Sequence, residues 1–147
     1  MIFRFLLFFI FFTQLSTLIG QPDSRFRPFD WVLYRGAGSI SSITEGFTFA
    51  YIGTEMGGLK RFNLYSNNFE EPITTAQGLK ENQVTATHFD LGTGLIWVAS
   101  PHYVQYSFSR EGDWFAKELQ NLGLSRNDRI NRIGSSANYI WLQARSS

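Results

Sequence analysis

Short runs of alternating hydrophobic and polar residues fill most of the chain after residue 38. Phe47, Phe49 and Tyr51 stand at alternate positions, and a period of two predicts a β-strand. Residues 59–64 alternate bulky with polar side chains in the same way, whereas residues 95–99 are apolar throughout. An unbroken apolar run of this length is typical of a strand buried on both faces.

Turn-forming residues separate these runs, for example at Gly57-Gly58, Asn67-Asn68 and Glu45-Gly46. Such pairs predict tight reversals of the chain. We therefore predict ten strands and no helix beyond the first twenty residues. The predicted strands are residues 39–44, 47–53, 59–65 and 69–74, then 83–89, 95–99, 103–108 and 114–119, and finally 129–134 and 139–144.

An ordered set of landmarks recurs along the chain with a period near 45 residues. Residues 51–54 correspond to residues 97–100 and then to residues 141–144, at spacings of 46 and 44 positions. A period of about 45 with short strands is the spacing of a four-stranded propeller blade. The copies span about 38–82 and 83–127, and a truncated third copy spans 128–147.

Two all-β architectures, a β-sandwich and a β-propeller, contain short strands at regular spacing. Strands of a β-sandwich also recur every 8–12 residues, but a sandwich would not repeat an ordered set of landmarks at a fixed period. The sequence therefore predicts an all-β β-propeller of about two and a half four-stranded blades, forming an incomplete ring. Tyr51, Trp97 and Trp141 occupy one repeat position, where a large aromatic is expected to wedge between neighbouring blades.

The first twenty residues have the pattern of a secretory signal peptide. Arg4 precedes an eight-residue apolar run, and polar and small residues follow up to Gly20. This order of charge, apolar core and cleavage site predicts a signal-peptide helix over residues 1–20 and a lead-in over residues 21–37. The alternative is an uncleaved membrane anchor, but a spanning helix needs about twenty apolar residues. We expect export to the periplasm or cell surface, with contact to the membrane only through the signal.

The composition excludes several kinds of binding site. The formal net charge is +1, and the chain contains no cysteine and two histidines, His88 and His102. An almost neutral chain gives no sign of nucleic-acid binding. The absence of cysteine excludes disulfides and cysteine-based metal sites, and the histidine spacing matches no metal motif. No cofactor, metal or catalytic residue is predicted.

The repeat resembles that of a known protein family. Residues 52–62, which read IGTEMGGLKRF, are similar to the signature of the two-component-regulator propeller repeat. Residues 78–84, GLKENQV, resemble the join between its blades, and residues 95–99 resemble its "Gly-x-Leu-Trp-Val" strand. The second copy departs from the signature at residues 100–103, where the double glycine is lost, so its turn is expected to differ. These motifs specify blade packing rather than any activity.

The resemblance implies an exported interaction module rather than an enzyme. In a propeller, the turns between second and third strands share a face with the joins between blades. A protein or glycan partner is expected there. The predicted binding residues are Glu55, Lys80, Glu81, His102, Tyr103, Arg126 and Asn127. The alternative is a propeller enzyme of the lyase type, which would need a second histidine and acidic partners on that face.

Proteins with this repeat include the exported sensor part of hybrid two-component kinases and a surface propeller of the type IX secretion apparatus. Propellers close with 4–8 blades, which at this period needs about 180–360 residues. Since Gly38–Ser147 supplies fewer, we expect further blades downstream. Trp141 and Leu142 are then expected on an open blade face.

Overall fold

In a computed structural model of the protein, residues 36–108 and 113–146 are described. The predicted signal at 1–20 and nearly all of the lead-in at 21–37 lie outside the described residues. Within the described ranges no helix has the length and apolar character needed to cross a membrane.

Three antiparallel sheets account for the described fold, and each sheet follows the previous one along the chain. Within each sheet, neighbouring strands in sequence pair with one another. The prediction of an all-β chain is therefore confirmed. The first sheet contains β1 (Ile40–Glu45), β2 (Phe49–Thr54), β3 (Leu59–Asn63) and β4 (Asn68–Ile73); the second contains β5 (Ala86–Asp90), β6 (Leu95–Ala99), β7 (Tyr103–Phe108) and β8 (Phe115–Glu118); the third contains β9 (Asp128–Ser136) and β10 (Tyr139–Ser146).

The strand bounds depart most from prediction at the joins between sheets. β5 begins three residues later than predicted, because Val84 and Thr85 donate their backbone N–H groups to Thr54 and Ala99 respectively. Each join also contains a short 3-10 turn, at Thr75–Gln77 and Leu119–Leu122. The chain thus turns between sheets without an α-helix in the described residues.

The turn between the second and third strands differs between the two complete sheets, as the loss of the double glycine predicted. In the first sheet, Thr54 N–H donates to Gly58 O at 3.1 Å, and in the second, Ser100 N–H donates to Tyr103 O at 2.8 Å, a turn one residue shorter. Gly58 has φ of +72°, and a Cβ there would lie 2.3 Å from Ile73 O. Only glycine fits that position.

Equivalent positions in successive sheets are joined by hydrogen bonds near their first strands. β1 lies beside β5, and β5 lies beside β9. Thr87 Oγ1 donates to Ser42 Oγ at 3.0 Å, and Phe89 N–H donates to Thr44 Oγ1 at 3.0 Å. Each of these bonds joins residues 45 positions apart. The period seen in the sequence is therefore also the period of the contacts between sheets.

Two hydrophobic clusters fill the spaces between neighbouring sheets. In the first, Tyr51 of β2 stacks on Phe89 of β5, with ring centroids 5.9 Å apart and planes 10° apart. The other members of this cluster are Phe49, Leu59, Leu79, Val84, Ile96 and Val98, with Ile73 and Trp114 at its margin. The second cluster contains Ala86, Ala99, Val104, Leu119 and Ile130, with Trp97, Leu124, Ile133 and Leu142 packed against it.

The three aromatic residues at one repeat position lie in three different environments. Tyr51 is 1% exposed between the first and second sheets, and Trp97 is half-buried between the second and third. Trp141, the corresponding residue of β10, is 61% exposed, as predicted for an open face. The prediction for Leu142 was wrong: it packs on the second cluster. Since successive strand residues point to opposite faces, Leu142 faces the second sheet when Trp141 faces away from it.

The contrast between Tyr51 and Trp141 gives a test of the packing. Replacing Tyr51 with Ala removes a buried ring from the first cluster, and we expect the free energy of unfolding to fall by about 3–5 kcal/mol. Replacing Trp141 with Ala at the same repeat position should change it by less than about 0.5 kcal/mol, because the ring is exposed. Urea unfolding of both variants measures the difference, and equal losses would contradict the packing described.

Candidate functional site

The candidate binding surface lies where the turn between β6 and β7 meets the joins on either side of the second sheet. Tyr103 is the first residue of β7 and stands opposite Glu118, the last residue of β8. The join that follows β8 is tied to the same turn, because Leu119 N–H donates to His102 O at 2.9 Å. Backbone pairing therefore fixes this turn against the end of the second sheet.

Two concavities flank the pair Tyr103 and Glu118, and we call the surface they form the Tyr103 face. One has a volume of about 510 Å³ and the other about 340 Å³. Both are lined by Tyr103 and Glu118. The first is also lined by Lys80, Ala116, Lys117, Asn121 and Leu122, and the second by Pro101, His102, Leu119, Gln120, Ser125 and Arg126.

A contact between a carboxylate and an imidazole connects the join before β5 to the turn at this face. His102 Nδ1 lies 2.6 Å from Glu81 Oε1, and His102 N–H donates to Glu81 Oε2 at 3.2 Å. Burial by itself raises the pKa of Glu81, but hydrogen bonds from His102 and Ser100 outweigh it and hold that pKa below its usual value. Glu81 is therefore ionised at neutral pH, and its carboxylate holds both the imidazole and the backbone N–H of His102.

Five of the seven predicted binding residues come together here. Lys80, Tyr103 and Arg126 line the concavities directly. His102 lines the smaller concavity, and Glu81 contacts the imidazole of His102. These residues come from two joins and one turn, which meet at one end of the second sheet.

The other two predicted residues lie elsewhere. Glu55 accepts a hydrogen bond from Ser39 N–H at 3.4 Å, in the first sheet's turn, and lines neither concavity. Asn127 follows Arg126 in the join but is not among the lining residues of either concavity.

Sequence reasoning missed Lys117 and Glu118, which belong to β8. The cross-strand register pairs Val104 with Lys117 and Tyr103 with Glu118. The register is a property of the strand pairing, and nothing in the sequence marks these two residues as part of a binding surface. With Lys117 included, three cationic side chains line the concavities beside Tyr103: Lys80 and Lys117 line the larger one, and Arg126 lines the smaller one.

A second polar network connects the second and third sheets. His88 Nε2 lies 2.8 Å from Ser135 Oγ, and Ser135 Oγ donates to Asp90 Oδ1 at 2.9 Å. Burial lowers the pKa of His88, with an opposing effect from the charge of Asp90.

The order of these three groups differs from that of a nucleophilic triad. There, the carboxylate orients the histidine, and the histidine takes the proton of the serine. Here the carboxylate of Asp90 accepts the hydrogen bond of the Ser135 hydroxyl, so the Ser135 oxygen accepts from His88. The arrangement is that of a hydrogen-bonded bridge between two sheets.

An apolar cleft of about 400 Å³ opens between the outer part of the second sheet and β10. Most of its lining is hydrophobic: Leu95, Trp97, Val104, Tyr106, Leu122, Ile140 and Leu142, with Lys117 at its margin. The indole N–H of Trp97 is buried and has no hydrogen-bond partner among the described residues. An unpaired buried donor of this kind costs roughly 1–3 kcal/mol.

No group of three or more potential ligand side chains that could hold a metal ion occurs in the described ranges. Neither a comparison with models of protein families nor one with curated proteins finds a match for this chain.

The Glu81–His102 pair predicts a pH dependence of stability. Because the folded-state pKa of Glu81 is lowered, its contribution is present above the ordinary carboxyl pKa and is lost as the pH falls through the lowered value. We expect Glu81→Gln to reduce the free energy of unfolding by about 0.5–1 kcal/mol near neutral pH. Once the pH lies below the lowered pKa of Glu81, the difference from the unmodified protein should disappear.

Urea unfolding across this pH range measures the effect. Glu45→Gln is the matched control, because Glu45 is an exposed carboxylate at the end of β1 in the first sheet. A difference for Glu81→Gln that persisted unchanged in acid would contradict the pairing.

Proposed function

We propose that this protein is an exported, non-catalytic interaction module, built as part of a β-propeller of the two-component-regulator repeat type. Support for the propeller comes from the order of the sheets and from their first strands, which lie side by side. The 45-residue spacing of the hydrogen bonds between sheets adds to it. In this proposal, β1, β5 and β9 are the innermost strands of successive blades.

The Tyr103 face is the proposed binding surface. The observation that carries this proposal is that Lys80, Lys117 and Arg126 line two neighbouring concavities that share the half-buried ring of Tyr103. Arginine and lysine recognise anionic groups, and tyrosine supplies a large contact area with a polar tip. An anionic segment of a protein or an acidic glycan is therefore the partner that fits best.

The chemistry of the polar groups favours binding over catalysis. Covalent catalysis needs a nucleophile beside a base that a third group orients. The Ser135 hydroxyl instead donates a hydrogen bond to Asp90. The Nδ1 atom of His102 contacts the Glu81 carboxylate and not a nucleophile. The second histidine that a lyase-type site would need, His88, is engaged with Ser135 and does not line the Tyr103 face.

We further propose that more blades continue the ring beyond the third sheet. The outer face of that sheet exposes Tyr139 and Trp141. Arg145 lies directly opposite Arg129 across β9 and β10, and like charges in this position are destabilising. A following blade with an apolar and acidic face would cover the rings and neutralise the two cations. The whole protein would then be a sensor or a secretion component at the cell surface.

Binding by the Tyr103 face can be tested with anionic polymers. Polygalacturonate and poly-glutamate should bind, and uncharged dextran should not, with binding that weakens as salt rises. We expect Arg126→Ala and Tyr103→Ala each to reduce affinity about tenfold in isothermal titration calorimetry.

Arg132→Ala is the matched control, because it removes an equally exposed arginine from the third sheet. Equal loss of affinity in Arg126→Ala and Arg132→Ala would show attraction to overall charge and would overturn the proposed face. Absence of binding by any anionic polymer or by acidic peptides would do the same.

Export has its own test. Expression of the complete chain in a bacterial host that exports proteins should yield a product whose N-terminus is Gln21, because cleavage is expected after Gly20. Edman sequencing of the exported protein identifies this residue. Recovery of intact Met1 in the membrane fraction would contradict the proposal.

A further inference from the structure

The Tyr103 face contains a side chain of the kind that gains and loses charge near neutral pH. Of the residues that line its two concavities, one is a histidine, His102. Histidine ordinarily changes its charge between about pH 5 and 8, whereas carboxyl, tyrosine, lysine and arginine side chains ordinarily titrate outside that range. The proton on His102 therefore decides how the charge of this face responds to pH.

Glu81 determines which ring nitrogen of His102 gains and loses that proton. Its carboxylate lies 2.6 Å from Nδ1 and accepts the backbone N–H of the same histidine at 3.2 Å. An ionised carboxylate can only accept a hydrogen bond, so Nδ1 carries a hydrogen in both the neutral and the charged imidazole. Nε2 is therefore the atom that is bare in the neutral ring and protonated in the charged ring.

The imidazole is open to a ligand while its carboxylate partner is largely covered. The side chain of His102 is 62% exposed and that of Glu81 is 24% exposed. The imidazole also lines the smaller concavity. Because Glu81 holds Nδ1, Nε2 is the ring nitrogen left to contact a ligand.

The charge balance of the smaller concavity depends on this proton. Arg126 and Glu118 line the concavity together with His102, and with a neutral imidazole their formal charges cancel. Protonation adds one positive charge and converts Nε2 from a hydrogen-bond acceptor into a donor. An anionic group then gains both an attraction and a hydrogen bond that the neutral ring cannot provide.

The charged and titratable groups around His102 come from every part of the chain that forms this face. They are Lys80 and Glu81 from the join before β5, Tyr103 from the same turn, Glu118 from β8 and Arg126 from the join after β8. The larger concavity is lined by Lys80 and Lys117 and not by a histidine. Its attraction for anions is therefore expected to stay constant where that of the smaller concavity changes.

We propose that His102 is a proton switch of the Tyr103 face: protonation of its Nε2 strengthens the binding of anionic groups in the smaller concavity as the pH falls from about 8 to about 5.5. This inference rests on the proposed function, because it specifies how anion binding at that face is regulated. Linkage is reciprocal, so an anion that binds the protonated ring more tightly also causes the protein to take up protons on binding.

The position of the proton can be observed directly by NMR. In the full chain labelled with ¹⁵N-histidine, long-range proton–nitrogen spectra at about pH 8 should show the neutral ring of His102 protonated at Nδ1. His88→Gln leaves one histidine in the chain and so assigns the signals. A neutral ring protonated at Nε2 would contradict the role given to Glu81 and overturn the inference.

Isothermal titration calorimetry of the full chain with low-mass dextran sulfate measures the switch. The sulfate esters of this probe keep their charge throughout the pH range, and uncharged dextran is the control for its backbone. We expect the affinity to rise about three- to fivefold from about pH 8 to about pH 5.5, the size of an exposed ion pair. Titrations near pH 6.5 in buffers of different ionisation enthalpy should show proton uptake on binding.

Two substitutions of His102 separate its charge from its place in the fold. His102→Gln should keep the affinity of the unmodified protein at about pH 8 and lose both the rise and the proton uptake. His102→Lys, which carries a fixed charge, should bind at about pH 8 as tightly as the unmodified protein does at about pH 5.5. His88→Gln is the matched control and should retain the pH dependence, because His88 contacts Ser135 and lines neither concavity.

The outcomes distinguish this inference from the proposed function. An equal rise in affinity for His102→Gln, or binding by the unmodified protein without proton uptake, would overturn the switch. Salt-sensitive binding of dextran sulfate that does not change between about pH 8 and about pH 5.5 would also overturn it and leave the proposed function of the Tyr103 face intact. Absence of binding at every pH would overturn both.

Discussion

The packing of one sheet on the next is the interaction on which the rest of this structure depends. Each sheet is thin and has two faces, so its apolar residues are buried only where a neighbouring sheet covers them. The stack of Tyr51 on Phe89 and the bonds from Thr87 and Phe89 to the first sheet supply this cover once. The second cluster, centred on Ile130, supplies it again.

This stacking also generates the surfaces that bear on function. The Tyr103 face forms where the joins on either side of the second sheet bring Lys80 and Arg126 towards the turn that holds His102. The apolar cleft exists because the third sheet has two described strands where the second has four. Both surfaces follow from the repeated path of the chain. The Tyr103 face lies at the end of the four-stranded second sheet, and the cleft lies beside the two-stranded third sheet.

Polar groups hold this path in place where the apolar clusters end. Gln105 caps the backbone of one join, and Glu81 fixes the turn through His102. His88, Ser135 and Asp90 connect the second sheet with the third. Such bonds contribute modestly to stability, but they select one arrangement of neighbouring sheets, because a shifted sheet would leave buried donors unpaired.

The sequence by itself determined the strands, their grouping into repeats and the turn at Gly58, because alternation, period and glycine chemistry are local properties of the chain. From the resemblance to a propeller, seven residues were predicted to share one face, and Lys80, Glu81, His102, Tyr103 and Arg126 of these lie together at the end of the second sheet. Only the tertiary structure decided that Lys117 and Glu118 join them, because cross-strand register is set by pairing rather than by neighbours in sequence. The same holds for Leu142, whose direction depends on which face of β10 the second sheet covers.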